Sequence, residues 1–251
     1  MTPLDTHAHV QPDISPSELT ALNANVVAVT RSPDEYAQTL DRRDPTTTWA
    51  LGCHPSLATP LKNFDPDRFR SLLKSTAVVG EIGLDGSSRV PVATQTAVLQ
   101  QILEMLQGAP RVSTVHSAGA TEEIVELLAD TRPNGVILHW WRGDEEQTRH
   151  ALTLGCYFSV NSREIDRPRV IGIVPRDRIL TETDHPSGDR SERPPRRPGN
   201  MSRTVAALAE HWDVGPAEVV RQTWENWRTL CLSTGTADLL PRSFKAQMLR
   251  A

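Results

Sequence analysis

The sequence predicts an α/β fold, a single (β/α)8 TIM-type barrel, on three observations. Short β-branched runs alternate with longer amphipathic ones from end to end, and the short runs number eight. The chain has 251 residues, a length at which such a barrel closes around one core. Alternation of this kind specifies a parallel sheet with crossover helices; an open doubly wound sheet is the alternative.

The first strand is expected over residues 3–8 and the second at VVAVT, 26–30. TTWAL at 47–51, AVVGEI at 77–82, RVSTVH at 111–116 and GVILHW at 135–140 follow. CYFSV at 156–160 and RILTET at 178–183 complete the set. Two helix starts are marked by Ser15-Pro16-Ser17-Glu18 and Ser32-Pro33-Asp34-Glu35. In each, serine caps, proline suits the first turn and glutamate sits at the reciprocal position. Further helices are expected near 94–107, 121–130, 144–153, 201–212 and 216–230. Residues 185–200, HPSGDRSERPPRRPGN, are too rich in Pro, Gly and charge for either regular structure and read as a long loop after the last strand. The barrel is assigned to residues 1–232, and residues 233–251 to a loosely held C-terminal tail.

Composition narrows the function classes. Lys+Arg 27 against Asp+Glu 31 gives a net charge of −4, which excludes a bulk basic nucleic-acid coat. A polyanion would bind only through a local positive patch. Only Lys62, Lys74 and Lys245 are lysine, so the cations are mostly arginine, suited to forked contacts with phosphate or carboxylate. No stretch approaches the ~20 apolar residues of a membrane span. The opening MTPLDTHAHV has none of the apolar character of a targeting segment, and Cys53, Cys156 and Cys231 are widely spaced. A cytoplasmic protein with reduced thiols is expected.

The chemistry collects where strands pass into loops. Asp5-Thr6-His7-Ala8-His9 ends the first strand, and alternation puts His7 and His9 on one side, able to converge on one metal ion. The third strand ends in Cys53-His54-Pro55 and the fourth in Gly80-Glu81-Ile82-Gly83-Leu84-Asp85. The fifth ends in His116, the sixth in His139, and the eighth in Glu182-Thr183-Asp184. The C-terminal ends of barrel strands are where sites are built. Four imidazoles and two carboxylates suit two divalent cations, Zn, Mn or Mg, and no lysine ends a strand, so Glu81 is the natural bridge. Asp5 and Glu182 are expected to hydrogen-bond ligand imidazoles, and Asp85 to cap the next helix or, as the alternative, to orient the loop of Glu81. Cys53 and Cys156 are expected to be small buried residues, and His150 and His211 to lie on the surface. Trp140 and Trp141 are adjacent, so one should face the site and the other pack between helix and barrel.

DTHAH, GCHP, GEIGLD, the VHS run, LHWWRG and ETDHP, followed by Pro198-Gly199-Asn200 and Asn226, stand in the order and spacing of one family. The sequence resembles the TatD family of metal-dependent deoxyribonucleases of the amidohydrolase superfamily. The wording of GLDGS, LHWWRG, GCYFSVN and PRDRILTETD is most similar to the TatD-like members of Qat anti-phage defence systems. The resemblance implies a barrel that cleaves DNA phosphodiesters, exonucleolytically on single strands, with a metal-bound hydroxide as nucleophile. It implies His7, His9, Asp184 and Glu81 around one ion and His116, His139 and Glu81 around the second. Asp184 would also accept the proton of the attacking water, and His54 would contact the scissile phosphate or the water network. DNA is the implied partner, with defence-system proteins beside it.

Two departures bear on substrate. The family usually has an arginine two residues after the strand-five histidine, where this chain has Ala118, and the aromatic pair after GLD is replaced by Gly86-Ser87-Ser88. Arg142, Arg190, Arg193, Arg196 and Arg197 are candidates to replace the missing phosphate clamp, and Trp140 to stack a base. Hydrolysis of a small amide, lactone or phosphoester is the alternative activity, and a non-catalytic subunit of a defence complex the alternative role.

Overall fold

The computed structural model describes residues 1–166, 170–190 and 192–251; Ser191, inside the loop expected at 185–200, lies outside the described residues. Eight strands alternate with helices: β1 (Leu4–His9), α1 (Pro16–Ala21), β2 (Asn25–Val29), α2 (Pro33–Ala37), β3 (Thr47–Ala50), α3 (Ala58–Lys62), α4 (Pro66–Leu73) and β4 (Val78–Gly83). Then come α5 (Val92–Gly108), β5 (Val112–His116), α6 (Thr121–Thr131), β6 (Val136–His139), α7 (Glu145–Thr153), β7 (Tyr157–Val160) and α8 (Ser162–Asp166). β8 (Ile179–Thr181), α9 (Ser202–Trp212), α10 (Pro216–Ser233) and α11 (Arg242–Met248) complete the chain.

All strand pairings are parallel, in the order β1-β2-β3 and β4-β5-β6-β7-β8. Backbone bonds close these two sheets into a ring. Leu51 N donates to Val78 O (3.0 Å) and Gly80 N to Leu51 O (2.8 Å) at the β3–β4 seam. At the β8–β1 seam Asp184 N donates to His7 O (2.8 Å) and His9 N to His185 O (3.0 Å). Side chains reinforce that second seam: Thr6 Oγ1 donates to Thr181 O and Thr181 Oγ1 to Leu4 O. β8 is shorter than expected, although backbone pairing continues past it, Glu182 N donating to Val160 O (3.0 Å).

Strand alternation divides the core into two. Val26, Ala28, Val79, Val115, Leu138 and Phe158 pack outward against the helices. Val27, Val29, Val78, Ile137 and Leu180 point inward and form an apolar floor at the N-terminal end of the barrel. Two interruptions of this alternation matter. Val79 and Ile82 both face the helices, and the register shift between them turns Glu81 into the barrel. Gly80 permits this shift, since a Cβ there would sit 2.1 Å from Thr114 Cγ2. β1 carries a similar shift between Asp5 and Ala8. Bulges of this kind re-aim side chains.

The tail departs from expectation. Phe244 is fully buried on α11 and, with Met248 and Leu240, closes the floor against Trp224 and Trp227 of α10. Phe244 meets Trp224 edge-on at a ring separation of 5.6 Å. Leu240, Phe244 and Met248 are buried while Leu239 and Leu249 are exposed, so low periodicity concealed a docked segment. Two helical stretches were also not anticipated: α3 with α4, and α8. The late Asn226 is structural, its amide donating to Arg176 O (2.8 Å) and Ile179 O (2.7 Å) beneath β8.

Phe244→Ala should cost about 3–5 kcal/mol, the usual penalty for emptying a fully buried phenylalanine site. Urea unfolding of the variant checks this, with a lowered midpoint and an unchanged m-value expected.

Candidate metal centre

The six expected donors meet at the C-terminal mouth, around one buried carboxylate. Glu81 Oε1 lies 2.7 Å from His116 Nδ1 and 2.9 Å from His139 Nε2. Its other oxygen, Oε2, lies 3.2 Å from His9 Nε2, 3.7 Å from His7 Nε2 and 3.2 Å from His54 Nε2. Asp184 Oδ1 stands 4.0 Å from His7 Nε2 and 3.8 Å from His9 Nε2. Each oxygen of Glu81 therefore faces its own set of donors.

Neighbouring groups fix the imidazoles. His7 Nδ1 bonds Thr114 Oγ1 at 2.6 Å, which leaves Nε2 directed at the cluster. His7 and His139 stack with centroids 3.9 Å apart. Ser56 N donates to His54 Nδ1 (3.1 Å), so the proton of that ring sits on Nε2, facing Glu81. His139 Nδ1 lies 3.9 Å from Glu182 Oε2. Glu182 itself accepts from Asn161 Nδ2 (2.9 Å) and from Ser159 Oγ.

The donor set fits divalent cations. His7 Nε2 and Glu81 Oε2 are buried with no hydrogen-bond partner among the described residues, although several donor atoms converge on them. Buried polar atoms are normally satisfied, and orphans at the meeting point of imidazoles and carboxylates are what a cation would satisfy. Three groupings bring such atoms within reach of one ion: His7, His9 and Glu81; Glu81, His116 and His139; and His7, His139 and Asp184.

Charges at the cluster are strongly perturbed. Burial pushes the Glu81 carboxyl up, but the facing His54 and His139 imidazoles outweigh it and hold that group well below the usual carboxylate range. Burial raises Asp184 well above its ordinary value, and the Glu182 and Glu81 charges add to this. Burial and the His139 ring lower His7. For His139, burial works downward, yet the Glu81 and Glu182 carboxylates carry it well above the ordinary imidazole value.

Several expectations need correction. Asp5 binds no imidazole: its carboxylate accepts from Thr183 N (2.9 Å), Thr183 Oγ1 (2.6 Å) and Gly199 N (2.8 Å). The register shift in β1 separates its direction from that of His7, so Asp5 stitches the β8 end and the Pro198-Gly199 turn to β1. Asp85 does not cap α5, which has Pro91 at that position. It instead accepts from Ser87 N (2.9 Å) and from the Ser56 hydroxyl, and lies 3.8 Å from His116 Nε2.

Trp141 is buried on the helix side and donates to Thr148 Oγ1 (2.9 Å), whereas Trp140, at φ 39°, is half-buried under the Arg142 guanidinium, 4.2 Å from its ring. Arg196 and Arg197 are exposed, and no described contact joins them to the cluster. Cys53 and Cys156 are buried thiols, pushed up to about 12 by burial, while His150 and His211 lie on the surface.

Sequence reasoning passed over Arg31 and His185. Both line a cavity shared with His9 and His54, and His185 Nδ1 is held by Asp189 Oδ2 at 2.6 Å. Arg31 lies two residues past the end of β2, close to the kind of position that singled out the other candidates.

A family model described as TatD related DNase matches residues 4–231. The chain belongs to the TatD family. An uncharacterized metal-dependent hydrolase, YabD of Bacillus subtilis, is 27% identical over 72% of this chain and 76% of its own length. Human deoxyribonuclease TATDN3 is 24% identical over 89% and 92%. A protein of Cronobacter turicensis named 3′-5′ ssDNA/RNA exonuclease TatD is 30% identical over 54% of this chain and 56% of its own length. The crystal structure of YJJV, a TatD homologue from Escherichia coli K12, superposes with a TM-score of 0.79 at 22% identity, covering 90% of this chain and 96% of that one. The TatD family supplies the fold and the metal-dependent hydrolase class, into which the buried donor cluster fits directly.

An imidazole binds a cation only when neutral and a carboxyl only when ionised, and both His139 and Asp184 are raised above their ordinary values, so affinity should rise with pH. Chelator-treated protein should melt lower than protein with a divalent cation. At a hundredfold excess over Kd the gain is about 2.7 kcal/mol. Thermal scans with Zn²⁺ or Mn²⁺ at pH 6 and pH 8 check both points, the larger shift being expected at pH 8.

Proposed function

We propose that this chain is a deoxyribonuclease that hydrolyses phosphodiester bonds of DNA, removing nucleotides from the ends of single strands at a centre holding two divalent ions. The observation that carries the reading is the division of Glu81, with Oε2 facing His7, His9 and Asp184's neighbourhood and Oε1 facing His116 and His139. His7, His9, Asp184 and Glu81 would hold one ion, and His116, His139 and Glu81 the other. Bound divalent ions there would polarise a phosphoryl oxygen and lower the pKa of water. The names of the Cronobacter and human relatives support a nucleic-acid substrate.

The chain's own residues divide the remaining work. Asp184, held at the β8–β1 seam, accepts the proton of the attacking water. His54 presents its Nε2 proton to an oxygen of the scissile phosphate, its tautomer fixed by Ser56 N. Glu81 keeps the two donor sets at a constant separation. Trp140 with its stacked Arg142 offers a platform for a base at the mouth, and Arg196 and Arg197 supply positive charge on the overhanging loop. We further propose that the protein is cytoplasmic and, on the motif wording, that it acts beside partner proteins of a Qat-type anti-phage system. No described helix is long and apolar enough to cross a membrane.

End-labelled single-stranded DNA, incubated with Mg²⁺, Mn²⁺ or Zn²⁺ and the protein, should give a ladder that chelator abolishes. Asp184→Asn should fold and lower kcat by about 10²–10⁴-fold, the contribution of a positioned general base. Intact DNA beside confirmed bound metal, with turnover of a small ester or amide, would transfer the assignment to the small-substrate hydrolases.

A further inference from the structure

Beside the metal centre the mouth opens into a cavity of about 390 Å³, bounded by His9, Gln11, Arg31, His54 and His185. Pro186 and Pro198 stand in its wall, and no carboxylate is among the described lining residues. Arg31 is the only lysine or arginine among the described lining residues.

The guanidinium of Arg31 is pre-positioned. Its Nε lies 3.2 Å from Glu35 Oε2 and its Nη2 3.2 Å from Glu35 Oε1, while Arg31 N also donates to Glu35 Oε2 (2.8 Å). Nη1 takes no part in that clamp. The main chain ties Arg31 to the site, because His54 N donates to Arg31 O at 3.0 Å. Across the cavity, His185 spends Nδ1 on Asp189 and keeps Nε2 as its remaining hydrogen-bonding atom. Gln11 adds a side-chain amide. Donors from three strand ends thus face a space that has no acidic group among its described lining residues and adjoins His9 and His54 of the centre.

The residues after His116 supply no cation, being Ser117, Ala118 and Gly119. We propose that this cavity is the subsite for a backbone phosphate of the bound strand, neighbouring the one that is cut, with Arg31 as its cation. The inference rests on the phosphodiesterase reading above and names the residue that grips its substrate. A phosphate placed here is held by Nη1 of Arg31 and by the polar tips of Gln11 and His185. Glu35 acts as a positioning residue that orients the guanidinium and also withdraws part of its charge. Because the contact is made to a phosphate that does not react, it contributes to binding in the ground state and the transition state alike. Its loss should appear mainly in KM.

The test compares wild type, Arg31→Ala, Arg31→Lys and Glu35→Gln in binding to fluorescein-labelled oligo-dT. Anisotropy is followed in chelator, so that no strand is cut, across a salt series. Arg31→Ala should weaken binding by about tenfold and flatten the log Kd against log salt slope by about 0.7, the value for one phosphate contact on a single strand. Arg31→Lys should restore the slope while recovering only part of the affinity. Glu35→Gln should tighten binding, because it removes the charge opposing Arg31. With metal, Arg31→Ala should raise KM for DNA by more than it lowers kcat.

Wild-type affinity and slope in Arg31→Ala would overturn the subsite. So would equal weakening in Arg31→Ala and Glu35→Gln, which would make the pair a structural brace. The underlying reading fails differently: metal-loaded wild type would then hydrolyse bis(4-nitrophenyl) phosphate yet neither bind nor cut DNA.

Discussion

A single carboxylate, buried to 1% exposure and faced by the imidazoles of His7, His9, His54, His116 and His139, is the constraint on which this structure depends. An ionised Glu81 in that position is costly unless it is paired, and removing the imidazoles would leave an uncompensated charge in the barrel. The imidazoles in turn come from β1, β3, β5 and β6 or the residues just beyond them, so only a closed ring brings them together. The backbone bends to meet the requirement. The shift across Gly80 turns Glu81 inward between two residues that face the helices, and the shift in β1 directs His7 and His9 inward while Asp5 turns to the seam.

The barrel interior is accordingly graded along its axis. Its N-terminal end is apolar, filled by Val27, Val29, Ile137 and Leu180 and plugged by Trp224, Trp227 and Phe244. Its C-terminal end is polar, with Ser159, Asn161 and Glu182 below His139 and the donor cluster above. Stability and chemistry occupy opposite ends, which lets the tail secure the fold without entering the site. At the mouth, charge is handled locally: Glu35 faces Arg31, Asp189 faces His185, and Arg142 lies over Trp140.

Much of this was legible in the sequence because strand ends and donors coincide. The runs at 26–30, 47–51, 111–116, 135–140 and 156–160 fall within a residue or two of the observed strands, since each is short, apolar or β-branched, and buried over most of its length. His7, His9, Glu81, His116, His139 and Asp184 could be grouped because each closes such a run. What alternation could not reveal were its own interruptions. A bulge leaves no periodic trace, so Asp5 was expected beside His7 when it binds Thr183 and Gly199. Short elements were equally obscure. α4 is opened by Asp65-Pro66, a capping signal with only Phe69 and Leu73 buried behind it, and the tail has too few apolar residues to reveal that Phe244 and Met248 are covered. Arg31 was legible in principle, standing two residues past the end of β2, but histidines and acids draw attention first when metals are sought.

The most direct test of the shared-carboxylate account is anomalous diffraction from crystals soaked in Zn²⁺ or Mn²⁺. Two peaks about 3.5–4 Å apart, one against each oxygen of Glu81, are the expected result. A single peak away from Glu81, or none among His7, His9, His116, His139 and Asp184, would contradict it.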